Sequence, residues 1–134
     1  MANEFAIIEL LGDGGDPMTY TCAEATTILK GTLAELSADR TVIANTNDNA
    51  AVVGVTAMEK VGGDDSTTVS VYTNGVWDCL TDAGSDNAGV LLANSATEQT
   101  LQTADAADLL AGSYVGHLLE AAGNAEVCAV RILK

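Results

Sequence analysis

Few residues in this chain have types that could carry chemistry. It has one histidine, His117, three cysteines, Cys22, Cys79 and Cys128, and several segments rich in Gly and Asp. His117 sits in Tyr-Val-Gly-His-Leu-Leu-Glu-Ala (114–121) among apolar neighbours. A general base needs a group that orients it and a proton within reach, so the plainer reading of His117 is a residue on a strand. One histidine rules out a three-histidine or HExxH metal site. No GxSxG elbow is present to anchor a hydrolase triad. Gly12-Asp13-Gly14-Gly15-Asp16 lacks the Lys-Ser/Thr of a phosphate-binding loop and sets two carboxylates where a phosphate would sit. Gly62-Gly63-Asp64-Asp65 has the same wrong sign, and both segments read as turns.

Oxygen-rich segments could hold a hard cation. Asn45-Thr46-Asn47-Asp48-Asn49 and Asp82-Ala83-Gly84-Ser85-Asp86-Asn87 are the candidates. Neither matches a calcium loop with Gly at position six and Glu at position twelve, so they read as solvated acidic turns, with cation binding left open. Carboxylate pairs for glycoside hydrolysis are not excluded by spacing, but aromatics are 4% of the chain, too few for a sugar platform. The three cysteines form no CxxC pair, and each lies in an apolar run. They are expected to be reduced, buried thiols made in a reducing cytoplasm. The expectation is no enzyme, no catalytic residue, no cofactor and no resident metal.

Composition narrows the partners. Five Lys and Arg stand against nineteen Asp and Glu, a formal net charge of −14 over 134 residues. That charge repels nucleic-acid phosphate and an anionic membrane surface alike. No apolar run is long enough for a membrane-spanning helix. The N-terminal MANEFAIIEL lacks the basic start of a secretory signal. Hydrophobic residues are 48% of the chain, which favours a packed core over disorder.

The elements that must position these residues are short. Runs of β-type composition occupy 5–10, 31–36, 40–45, 51–58, 67–73, 76–80, 89–94, 98–103, 114–121 and 126–133. Gly/Asn/Asp turns separate them, including 82–89 and 122–124, and no long repeat divides the chain. The pattern predicts an all-β fold, a small antiparallel β-barrel or β-sandwich, as one domain over 16–134. Asn74-Gly75 between Thr67–Thr73 and Val76–Leu80 predicts a hairpin with a type I′ turn. One short connector helix is predicted over 104–112, with Thr103 as N-cap and Gly112 as the stop. A weaker helical signal covers 22–29, opposed by the β-branched Thr26, Thr27 and Ile28. The Gly-rich stretch before Pro17 reads as a hinge, leaving 1–15 as an N-terminal arm and hinge.

Three stretches, in order, carry a resemblance. They are Ile28-Leu29-Lys30-Gly31-Thr32-Leu33-Ala34-Glu35-Leu36, then 53–64 running on to 68–78, then Ala107 to Gly112 with Val115-Gly116, 119–123 and Val127 to Leu133. Together they resemble the small β-barrel capsid decoration (cement) proteins of tailed bacteriophages, over roughly 16–134. The resemblance implies a virion protein made in the host cytoplasm and carried on the outer capsid surface. Its partner would be the major capsid protein, with no enzymatic activity, cofactor, nucleic acid or membrane involved. Monomer, dimer and trimer stay open, a closed oligomer matching a local axis of the shell.

An apolar arm behind a glycine hinge suits strand addition to a neighbour's sheet edge. Phe5, Ile7, Ile8 and Leu10 are therefore interface candidates. The alternative for 5–10 is an internal strand of the same barrel. Tyr72 and Trp77 beside the Asn-Gly turn are further candidates, with core packing an equal alternative for Trp77. A fibre or tail-associated β-domain, or a small β-barrel ligand carrier, are the competing functions.

Overall fold

The computed structural model describes residues 5–9, 17–95 and 99–134. Leu10 and the Gly-rich hinge lie outside these residues. The all-β class holds, but the strands build two barrels where one was expected. The first contains β2 (Met18–Thr21), β3 (Leu33–Ala38), β4 (Thr41–Ala44), β5 (Val52–Thr56) and β6 (Thr68–Tyr72), closed in the order β2-β4-β3-β5-β6. The second contains β7 (Asn74–Asp86), β8 (Leu91–Asn94), β9 (Leu101–Thr103), β10 (Tyr114–Leu118) and β11 (Ala122–Leu133). These run β7-β11-β10-β8-β9, and a parallel β7–β9 pairing at Thr81↔Leu101 closes the ring.

The two barrels share one wiring. In each, the first strand pairs with the third in parallel and with the fifth antiparallel. The second strand lies antiparallel between the third and fourth, and the fourth pairs with the fifth. Local details repeat as well. Leu33-Ala34 leads to Arg40 at φ 51°, and Leu92-Ala93 leads to Gln99 at φ 55°, both left-handed turns before the next strand. The repeat that composition hid is thus a repeat of topology.

Alternation explains which side chains enter each core. In the first barrel Cys22, Ile28, Ala34, Val42, Val69 and Val71 are buried together. In the second, Trp77, Cys79, Leu92, Leu101, Val115, Leu118, Cys128, Val130 and Ile132 form a larger cluster. Leu33, Val52 and Val55 of the first barrel belong to that second cluster, so the barrels share a core. Polar links fasten the junction. Gln99 is fully buried, accepts a bond from the Leu33 N–H at 2.6 Å and donates to the Gly31 carbonyl at 2.7 Å. The Val52 N–H donates to the Gly112 carbonyl at 3.1 Å.

Several expectations are corrected. The Asn74-Gly75 hairpin does not form. β6 pairs with β2 and β5, while Asn74 and Gly75 open β7 opposite Leu133 and Ile132. Val69 and Val71 are drawn into one core and Trp77 and Cys79 into the other, which overrides the local turn preference. The turn expected at 82–89 is strand as far as Asp86, paired with β11 through Ala122 and Asn124. The weak helix at 22–29 is turn, with Ile28 bridged to Lys60. The connector helix α1 is Ala106–Ala111, starting two residues later than expected, and its N-cap is Asp105, not Thr103. Asp105 and Asp108 form a reciprocal capping box, and Gly112 ends the helix at φ 74° as expected. Met18–Thr21, part of the apolar run around Cys22, is β2.

Candidate functional site

The described part of the N-terminal segment is a strand of its own chain. β1 (Ala6–Glu9) lies antiparallel on β7, with Ala6 opposite Asp78 and Ile7 opposite Trp77. β7 explains how this fits. Its 13 residues run beside β11 along one edge, and its other edge is divided between β1 near Trp77 and β9 at Thr81. β1 ends the sheet, so its outer edge has no strand partner among the described residues.

The proposed contact residues therefore separate. Phe5 is buried at 1% exposure in the shared core, and its N–H donates to the Gly31 carbonyl at 3.0 Å. Trp77 is buried as well, with its indole N–H toward the Asn74 carbonyl at 3.4 Å. Neither side chain can serve as a free anchor on a partner, because the core already holds both; that is a correction for these two. Tyr72 is half-buried, its ring 5.7 Å from that of Trp77 and tilted by 50°. Ile7 and Ile8 are exposed on β1. Leu10 lies outside the described residues.

Four of the six nevertheless meet. Phe5, Ile7, Tyr72 and Trp77 line one cleft of about 330 Å³ where β1 meets both barrels, with Lys30 and Thr56 beside them. Apolar side chains make up most of its lining, and Lys30 is its one charged residue.

The other sequence candidates are spent inside the chain. Asn45 and Asn47 do not form an open cation loop. They donate to the buried Glu35 carboxylate at 2.6 and 3.2 Å, and the Thr46 N–H adds a third bond at 3.2 Å. Gly62–Asp65 is a turn held from within by Lys60. The buried Lys60 ammonium donates to the Glu24 and Val61 carbonyls, both at 2.7 Å, and to Asp64 at 2.9 Å. The bond from Lys60, then that from the Ser66 N–H, holds the Asp64 carboxyl below its usual range. Among the described residues, no three His, Cys, Asp or Glu side chains gather as a metal site. His117 is exposed on β10, with Arg131 and Leu91 as its cross-strand neighbours. All three cysteines are buried, and burial raises each thiol, most strongly at Cys79.

A surface the sequence reading missed lies on the outside of the second barrel. The core-facing residues of β7 and β11 alternate with Val76, Leu80, Val127 and Leu133, which point away from the core. Leu119 continues this face beside Ala129 through a backbone bond of 2.9 Å. The signal was the continuous apolar run Val127–Val130, where a strand with one wet face alternates.

No protein-family model matches the chain. No curated protein matches it either. The fold has a solved counterpart. The architecture superposes with a TM-score of 0.53 on a crystal structure described as the head fiber gp8.5 N base in bacteriophage phi29. The match covers 87% of this chain and 92% of that chain, at 16% sequence identity. At that identity the likeness is one of fold.

Proposed function

We propose that this chain is a structural protein of a tailed-phage particle, carried on the outer surface of the head. The observation that carries the reading is the shared fold with a phage head fiber base, matched along nearly the whole of both chains. The sequence resemblance to phage capsid decoration proteins supports it independently. In the finer form of the proposal the partner is the major capsid protein, and many copies stabilise the assembled shell by binding it and not its free subunits. The chain acts as a monomer, dimer or trimer set by the shell's local symmetry. It performs no catalysis, takes no cofactor and binds neither nucleic acid nor membrane, in keeping with a net charge of −14.

The fiber description of the structural neighbour favours a second reading, in which the chain forms the base of a projecting fibre. Copy number separates the two. Quantitative mass spectrometry of purified particles should give one copy per capsid subunit, or a simple fraction of it, for a lattice-covering protein. A few copies per particle would support the fibre base. Absence from particles would refute both.

A further inference from the structure

We infer that the outer sheet face of the second barrel, formed by Val76, Leu80, Leu119, Val127 and Leu133 around Arg131, docks against a partner protein with an apolar surface rimmed by Lys and Arg. This rests on the head-surface reading above and names the face that attaches.

The two barrels allow an internal comparison. The two barrels share their wiring, so the outer faces of β2 and β6 match those of β7 and β11. On the first barrel the paired outward positions are Thr19 with Ser70 and Thr21 with Thr68. On the second they are Val76 with Arg131, Asp78 with Ala129 and Leu80 with Val127. The fold tolerates a hydroxyl-rich face, so it does not itself demand the apolar one. Val127 is 59% exposed and Leu119 46%. Side chains of this size, contiguous on adjacent strands, mark an interaction surface more than a plain exterior.

Charge selects the occupant. A second copy would bring another −14 to the same contact. Exposed Glu120 and Glu126 border the face, and Asp78 lies within it. Two such faces would repel at their rims, whereas a basic rim would be drawn in and oriented. Arg131 forms no ion pair among the described residues, where the one salt bridge is Lys60–Asp64, so it is available to a carboxylate inside the partner's patch. The β1 edge beside β7 extends the same side of the molecule.

The test compares Leu119→Asp/Val127→Asp with a charge-matched control on the first barrel, Thr68→Asp/Ser70→Asp. All four side chains lie outside the cores, and Trp77 fluorescence with a thermal melt verifies folding. Binding is measured by co-sedimentation with phage heads grown without this chain, at low and high salt. Loss of at least tenfold in affinity for the face variant, with the control within twofold of wild type and wild-type binding weakened by salt, is the expected result. Equal binding by the face variant would overturn the face and leave the head-surface reading standing. Failure of the wild type to bind heads would overturn both. A wild-type oligomer in analytical ultracentrifugation that the face variant dissociates would make the occupant a second copy, and would also overturn the inference.

Discussion

Closure of the second barrel depends on the contact between β10 and β11, and Gly116 measures how close that contact is. A Cβ at Gly116 would lie 1.8 Å from the Arg131 carbonyl oxygen and 3.0 Å from the Ile132 Cα. Both are backbone atoms, which cannot rotate aside. An ordinary contact needs about 3.4 Å or more, so Gly116→Ala must push the strands apart by roughly 1.5 Å. The pairs Gly116↔Ile132 and His117↔Arg131 lie at that point. Overpacking costs about 1–3 kcal/mol, and one or two weakened ladder bonds add about 1 kcal/mol each. The expected loss is roughly 2–5 kcal/mol, a large share of the ~5–15 kcal/mol typical of a domain. The topological counterpart Gly54 should behave alike, since its Cβ would meet the Tyr72 carbonyl at 2.0 Å. Gly63→Ala is the control: it meets nothing within 4 Å, and its φ of +80° costs only the left-handed strain of about 1–2 kcal/mol. Urea unfolding followed by Trp77, the single tryptophan, reads all three. A loss below 1 kcal/mol for Gly116→Ala, at unchanged m-value, would refute the described closeness of β10 to β11.

Gln99→Leu strands the Leu33 N–H at the junction and leaves the Gly31 carbonyl only its bond from the Phe5 N–H, and should cost about 1–3 kcal/mol in the same assay. Two further predictions concern pH. The Asp64 carboxyl is lowered by its bond from Lys60, so its contribution is present above its unfolded pKa of about 3.9 and is lost as pH falls through the lowered native value. Asp64→Asn should flatten the fall in melting temperature with acid over that window; an unchanged acid limb would contradict the Lys60 clamp. Burial lowers Lys134 to about 8, although its ammonium donates to the Gly112 and Tyr114 carbonyls and lies 3.6 Å from the Tyr114 ring centroid. The native state then releases this proton before the unfolded chain does, so the group's contribution rises between pH 8 and about 10.4. Lys134→Met should remove that rise from the stability profile, and a profile identical to wild type would contradict it.

Much of the fold was legible because burial in a β-barrel leaves a local trace. Val69 and Val71, or Val130 and Ile132, alternate with outward residues and announce their strands. The stop at Gly112 was readable from one residue. Partnering was not readable, because it is decided by residues far apart in sequence. Asn74-Gly75 has every local feature of a hairpin, yet Gly75 pairs with Ile132. The repeated wiring has a faint counterpart in sequence, Leu33-Ala34 with Arg40-Thr41 and Leu92-Ala93 with Gln99-Thr100. The other positions need only be apolar or polar, so one wiring can be met by different residues in the two barrels.

The candidate site was legible in part for the same reason. Large apolar residues near the N-terminus and at Tyr72 and Trp77 stand out, and four of the six named residues meet at one cleft. Which of them face solvent depends on β1 lying on β7, a contact more than sixty residues away in sequence. Sequence alternation likewise says that Val127 and Val130 lie on opposite faces, but not that the face of Val127 is uncovered.

The central claim is a place on the outside of a phage head. A subnanometre reconstruction by electron cryomicroscopy, comparing particles with and without this chain, tests it most directly. The account predicts difference density for two adjacent small barrels on the outer shell surface, with the second barrel's β7–β11 face against the capsid protein. Difference density inside the shell, or none on the head at all, would contradict it.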